Sequence, residues 1–355
     1  MSDDPIPGAL RLQGGICTNF GSPFNGGLLE HLAQDYEACG PVRALLQPWA
    51  GARGRQLFDE AVPIRLVNAF NHLALSGEAP ELAAAYPQPG RSADPGAAWA
   101  VAREEIERRL DHLARFMGHE PQTNEVRRSA CLLGGFLTVA AETGLPLRIF
   151  EIGASAGLNS YWDRFHYRLG EAAWGDPASP VEIPVDWTGP PPPLDAPVEV
   201  IERHACDRRP TDLSDEAERR RLIACIWPDQ FDRLDRSRAA IDLALANGVQ
   251  VDAADALAWT QARVAPQAGA ATVLYHSIFW QYLPAETRAG LEVAIRAIGA
   301  QASEEAPFAW LRMEPPMDNL ATVEVRLTLW PSGQDRRLAV VHPHGAAVAW
   351  EIDQR

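Results

Sequence analysis

The residues best suited to chemistry stand together in Glu-Ile-Gly-Ala-Ser-Ala-Gly-Leu-Asn, residues 151–159. A carboxylate, Glu151, is followed by Gly153, Ser155 and Gly157 at every second position, and then by the amide of Asn159. Leu147, Ile149, Phe150 and Ile152 form an apolar run of strand length at the start, and helix-compatible residues follow the turn. Small residues between strand and helix let a ligand approach the main chain, where backbone N–H groups and a helix N-terminus can surround it. The same letters spell Gly-x-Ser-x-Gly, a turn that raises a nucleophilic serine at a strand end. In that alternative Ser155 attacks, and Asp252 or Asp255 followed by His276 completes a Ser, Asp, His order.

The elements that must position these residues are read from periodicity. Before residue 122 the pattern is helical: Trp99, Ala102, Ile106, Leu110, Leu113 and Met117 recur at threes and fours, as one apolar face of a helix requires. Pro63, Ile64, Val67, Phe70 and Leu73, with Gly77 beyond, predict another helix, and Pro80 to Pro95 a short helix and loop. A helix from Gln122 to about Glu142, capped by Thr123 or Asn124 and stopped at Gly144, is apolar almost all round. Strands are expected at 147–152, 198–201, 249–251, 272–275 and 308–311, and a hairpin joins 323–329 to 337–341 across Pro331-Ser332-Gly333. Tyr161 to Leu169 reads as helix, the proline-rich stretch at about 170–197 as an inserted loop or lid, and Glu216 to Asp242 as a helix interrupted at Trp227-Pro228. A last apolar stretch runs from Ala346 to Ile352. The expected organisation is a helical region over 1–121 and an α/β domain over 122–355.

Composition narrows the classes. The chain has 355 residues, 46% hydrophobic and 22% charged, with a formal charge of −15. Such a surface repels phosphate backbones, so no nucleic-acid partner is expected. Five cysteines without a Cys-x-x-Cys pair fit reduced thiols better than a zinc site or a disulfide framework. No apolar run approaches the ~18 residues of a membrane span, and no secretory leader pattern opens the chain. A cytosolic protein without a membrane partner is the expectation. His342 and His344 flank a proline, too local for a metal site, and no metal is expected.

The acidic residue followed by alternating small residues resembles the cofactor loop of class I S-adenosylmethionine-dependent methyltransferases. The strand–helix alternation closed by a hairpin is similar to their Rossmann-like sheet, mostly parallel with an antiparallel C-terminal pair. An α/β-hydrolase elbow normally follows several earlier strands, whereas helices precede residue 147. The series QTNEV, EIGASAGLN, WGDP, CDxxPxD, WPDQ, HSxxWQY and WLRMEP also resembles an uncharacterised bacterial family whose domain has no assigned function. The methyltransferase resemblance implies that Glu151, Gly153, Ser155, Gly157 and Asn159 hold the methionine part of S-adenosylmethionine. It implies Asp207 for the ribose, with Glu202 as competitor, and Asp255-Ala256 for the adenine. His276, with Gln281 and Tyr282, would stand beside a small-molecule O or N nucleophile. Gln122, Thr123, Asn124 and Arg128 would form a lid, and Trp162, Asp163 and Asp229 would shape the substrate side. A non-catalytic cofactor-binding protein is the further alternative.

Overall fold

The computed structural model describes residues 4–351. The chain divides into two compact units, one of residues 1–123 and 214–235, the other of 124–213 and 236–355.

The first unit is helical: α1 (Ile6–Asn19), α2 (Pro23–Glu37), α3 (Val42–Leu46), α4 (Gly54–Asp59), α5 (Val62–Leu75), α6 (Pro80–Ala85) and α7 (Pro95–Met117). Leu28, Leu29, Leu32, Leu66, Phe70 and Leu73 are fully buried in its core. The expected stripe on α7 is interrupted at Leu110, which is 37% exposed. Arg109 there leaves helical geometry (φ −138°, ψ 33°), and the kink turns the next residue out of the 3.6-residue period. The later segment joins this unit through specific polar contacts. Asn71 donates to the carbonyls of Ala224 and Ile226, and Asp229 accepts from the Ser22 hydroxyl and the Phe24 N–H. The proline break is present: a helix α9 (Glu216–Ala224) ends before it and α10 (Phe231–Ala246) starts after it.

The second unit begins with α8 (Arg128–Thr143), which the C-cap Gly144 ends in left-handed geometry (φ +63°). Its start lies six residues later than the sequence suggests. The expected cap, Asn124, is instead used across the unit, accepting the Leu158 N–H at 3.0 Å. Gly134 and Gly135 let α8 lie flat on the sheet, since a Cβ on either would fall within 2.3 Å of the Trp350 or Leu311 side chain. Phe136, next along the helix, is fully buried against Trp162 and Tyr275, which contributes about 1.5–3 kcal/mol.

Eleven strands follow: β1 (Leu147–Ile152), β2 (His166–Leu169), β3 (Ala172–Trp174), β4 (Glu182–Thr188), β5 (Val200–Asp207), β6 (Asp252–Ala253), β7 (Ala271–Ser277), β8 (Phe308–Glu314), β9 (Val323–Trp330), β10 (Gln334–Val341) and β11 (Ala347–Trp350). They form one sheet in the order β3-β2-β4-β11-β10-β9-β8-β7-β1-β5-β6. β6, β5, β1, β7 and β8 are parallel neighbours, and β8 to β11 run antiparallel in succession. Two further helices, α11 (Ala256–Arg263) and α12 (Ala285–Gly299), belong to the parallel half. The mixed α/β class with antiparallel C-terminal strands is as expected.

Three expectations are corrected. Residues 161–169 are not a helix: a 3-10 turn at Leu158–Arg164 gives way to β2, whose alternating burial shows the two-residue period of a strand. The proline-rich segment is not one loop, because Val181, Ile183 and Val185 are buried on one side of β4. Pro184 is tolerated there because β4 pairs with β11 only at Asp186–Thr188, so at the proline a neighbour lies on one side alone. The third parallel strand sits at Asp252–Ala253 rather than 249–251. The last apolar stretch is β11, and Ile352 lies outside the described residues.

Candidate functional site

The connection order creates a switch point. From β1 the chain first runs out to β2, β3 and β4 at the far edge of the sheet, then places β5 and β6 on one side of β1 and returns to place β7 and β8 on the other. In an open α/β sheet the crevice beyond the carboxyl ends of strands at such a point is where ligands bind. The Glu151–Asn159 stretch leaves β1 at that edge.

The turn is built on unusual backbone. Gly153, Ser155 and Gly157 all have positive φ, at 70°, 54° and 72°. For serine this left-handed geometry is strained, and such strain collects at functional sites. A Cβ at Gly153 would come within 2.2 Å of the Phe279 ring, so only glycine allows this approach. Asp207, at the end of β5, ties the turn to its own loop, accepting the Ser155 N–H and the Arg209 N–H at 2.9 Å each. Its two oxygens each keep a further acceptor position. Glu202 stands inside β5 and pairs with Arg148 at 2.9 Å, away from the strand end.

Glu151 points inward. Its carboxyl accepts from the Ser160 and Tyr275 hydroxyls at 2.9 and 3.0 Å. Burial raises its pKa to about 7, with those two hydrogen bonds acting in the opposite direction. The Ser155 hydroxyl and the Asn159 carbonyl oxygen are buried with no hydrogen-bond partner. Buried polar groups are rarely left so.

Asp255 is the N-cap of α11, accepting the N–H groups of Leu257 and Ala258, and it is exposed; Ala256 behind it is buried. Trp162 lies in the 3-10 turn, stacked on Phe136 at 4.2 Å, with its indole N–H unpaired, and Asp163 forms an ion pair with Arg203. Arg128 reaches the carbonyls of Pro343 and Ser277. Gln122 and Thr123 end the first stretch of the helical unit, which also holds Asp229.

At the end of β7 the geometry differs from expectation. His276 is wholly buried. Trp310 donates its indole N–H to Nε2 at 3.0 Å, and Nδ1 lies 2.6 Å from Glu314. An indole nitrogen only donates, so this network assigns the proton to Nδ1, which donates to the carboxylate. Both ring nitrogens are thus committed to neighbouring side chains, where the sequence predicts a ring free to accept a proton from a substrate. Gln281 is half-buried and Tyr282 is 75% exposed, and neither hydrogen-bonds the histidine. Ser155 has no histidine partner, so no Ser, His, Asp relay is wired.

Glu314 also accepts the Phe279 N–H at 2.9 Å. That bond holds a turn in which Ile278 has φ 48°, an outlier for a β-branched residue. Sequence reasoning missed Glu314 and Phe279 as site-building residues. Their signal is the alternation Trp310, Arg312, Glu314 along β8, which puts all three on one face. Among the described residues, no group of three His, Cys, Asp or Glu side chains is arranged to hold a metal ion. Among the described residues, too, no helix is long and apolar enough to cross a membrane.

No curated protein and no solved structure matches the chain. A family model does match, over residues 8–350. The chain therefore belongs to the family described as uncharacterised proteins conserved in bacteria, DUF2332.

Proposed function

We propose that the second unit binds S-adenosylmethionine at the carboxyl edge of β1, β5 and β7 and transfers its methyl group to a small-molecule O or N nucleophile. The observation that carries this reading is the strained Gly153-Ser155-Gly157 turn at the switch point, pinned by Asp207 from the neighbouring strand. The residues present fit the cofactor. Asp207 has acceptor capacity left for the two ribose hydroxyls, and the unpartnered Ser155 hydroxyl and Asn159 oxygen are buried polar groups that a ligand would satisfy. Exposed Asp255 is free to accept from an adenine amino group beyond its capping bonds.

When bound, the cofactor supplies a methyl group on a sulfonium. The chain's own contribution is orientation and exclusion of water. Because His276 is saturated, the nucleophile must present its lone pair without that histidine's help. Glu314 and His276 act as positioning residues that hold Phe279 against Gly153. The same saturation favours one second reading, a protein that binds the cofactor and transfers nothing; product analysis by mass spectrometry separates the two.

Calorimetric titration with S-adenosylhomocysteine tests the binding site. The expected result is saturable binding that Asp207→Ala weakens by roughly 1–3 kcal/mol. No heat at millimolar ligand, or equal affinity in the variant, would overturn the reading.

A further inference from the structure

The face of β8 and β9 that bears Trp310, Arg312 and Glu314 is opposite α8, since the intervening Leu311 meets Gly135 of that helix. A cavity of about 300 Å³ opens there, with Trp280, Trp310, Glu314, Met317, Arg312 and Arg326 in its lining. Its lining carries two guanidiniums and two carboxylates, but they are not paired with one another throughout. Arg312 is held by Thr328 and Asp335, and Arg326 by Asp335 and Glu324. Arg337 outside the lining is shared between Glu324 and Glu351. The three guanidiniums are thus taken up by Asp335, Glu324 and Glu351, and the lining carboxylate without a guanidinium partner is Glu314, which is only 9% exposed. Its partners are the neutral His276 ring and one backbone N–H.

A buried carboxylate without a cation, beside two tryptophans and a thioether, is the chemistry that recognises an alkylated ammonium. The rings of Trp280 and Trp310 lie 5.6 Å apart at 49°, and Trp310 already carries a cation, with the Arg312 guanidinium carbon 4.1 Å from its ring centroid. The guanidiniums are committed to carboxylates, so an anion would have to displace them. We infer that this cavity binds a small organic cation, an ammonium bearing alkyl groups, with Glu314 as counter-charge and Trp280, Met317, Pro315 and Pro316 as the apolar wall. The inference stands independently of the methyl-transfer reading.

Choline and its uncharged isostere 3,3-dimethylbutan-1-ol, each titrated into the full chain and followed by ligand-observed NMR, provide the test. Choline is expected to saturate the protein, with the isostere roughly tenfold weaker. Glu314→Gln should abolish that preference, and Trp280→Leu should weaken both ligands. Equal binding of choline and isostere to the native chain would show an apolar pocket only. Absence of saturation by choline, or a Trp280→Leu variant that binds it unchanged, would equally overturn the inference.

Discussion

The two strands that flank the switch point end in different ways. After β1, the main chain is strained at Ser155, and two buried polar atoms, the Ser155 hydroxyl and the Asn159 oxygen, have no partner. After β7, the main chain is strained at Ile278, but the donors and the ring beside it are paired: both nitrogens of His276, the Trp310 indole and the Phe279 N–H are all used, and only the Glu314 carboxylate keeps capacity, toward the cavity on the β8 face. Strain without satisfied groups is what a ligand cradle requires, and strain held by paired groups is what a wall requires. In the proposed reading, histidine, the residue type most associated with proton transfer, therefore belongs to the wall and not to the cradle.

The comparison breaks first at His276. Replacement by leucine strands the Glu314 carboxylate and the Trp310 N–H at depth, which should cost about 3–4 kcal/mol in urea unfolding. A stability change below ~0.5 kcal/mol with loss of turnover alone would return the histidine to a catalytic role.

Glu151 tests the interior behind the cradle through pH. Its folded pKa of about 7 exceeds the usual 4.5, so the stability it contributes is full below the unfolded value and is lost as pH rises through the folded one. Between about pH 4 and 8 the native chain should lose roughly 2–3 kcal/mol more than Glu151→Gln. Parallel pH curves for the two proteins would show that the carboxyl is solvated.

The smallest effect is expected at Ser155. Glycine there relieves the positive φ and removes an unpartnered hydroxyl, offset by greater freedom in the unfolded chain, for a net gain of about 0.5 kcal/mol. A loss above ~1 kcal/mol would mean that the hydroxyl has a partner in solution and that the cradle is as closed as the wall.

Much of this frame was legible from residue order. The helical repeat of α5 and α7, the apolar run of β1 and the carboxyl ends at Asp207 and His276 follow from local periodicity, which the fold preserves. β2 was hidden because its alternation covers only four residues, and β4 because its alternation is crossed by Pro184, and prolines signal loops unless pairing on one side makes room for them. The partners of His276 were hidden for another reason. Glu314 is 38 residues away, and only the pairing of β7 with β8 brings it within 2.6 Å. Spacing along the chain reveals a turn, while saturation of a side chain is a property of neighbouring strands.

The central claim is that the β1 edge is the ligand cradle. Hydrogen exchange of the full chain with and without saturating S-adenosylhomocysteine tests it most directly. Protection is expected in residues 153–159 and 207–211, with β9 and β10 unchanged. Exchange in those two segments that is the same with and without the ligand would contradict the account.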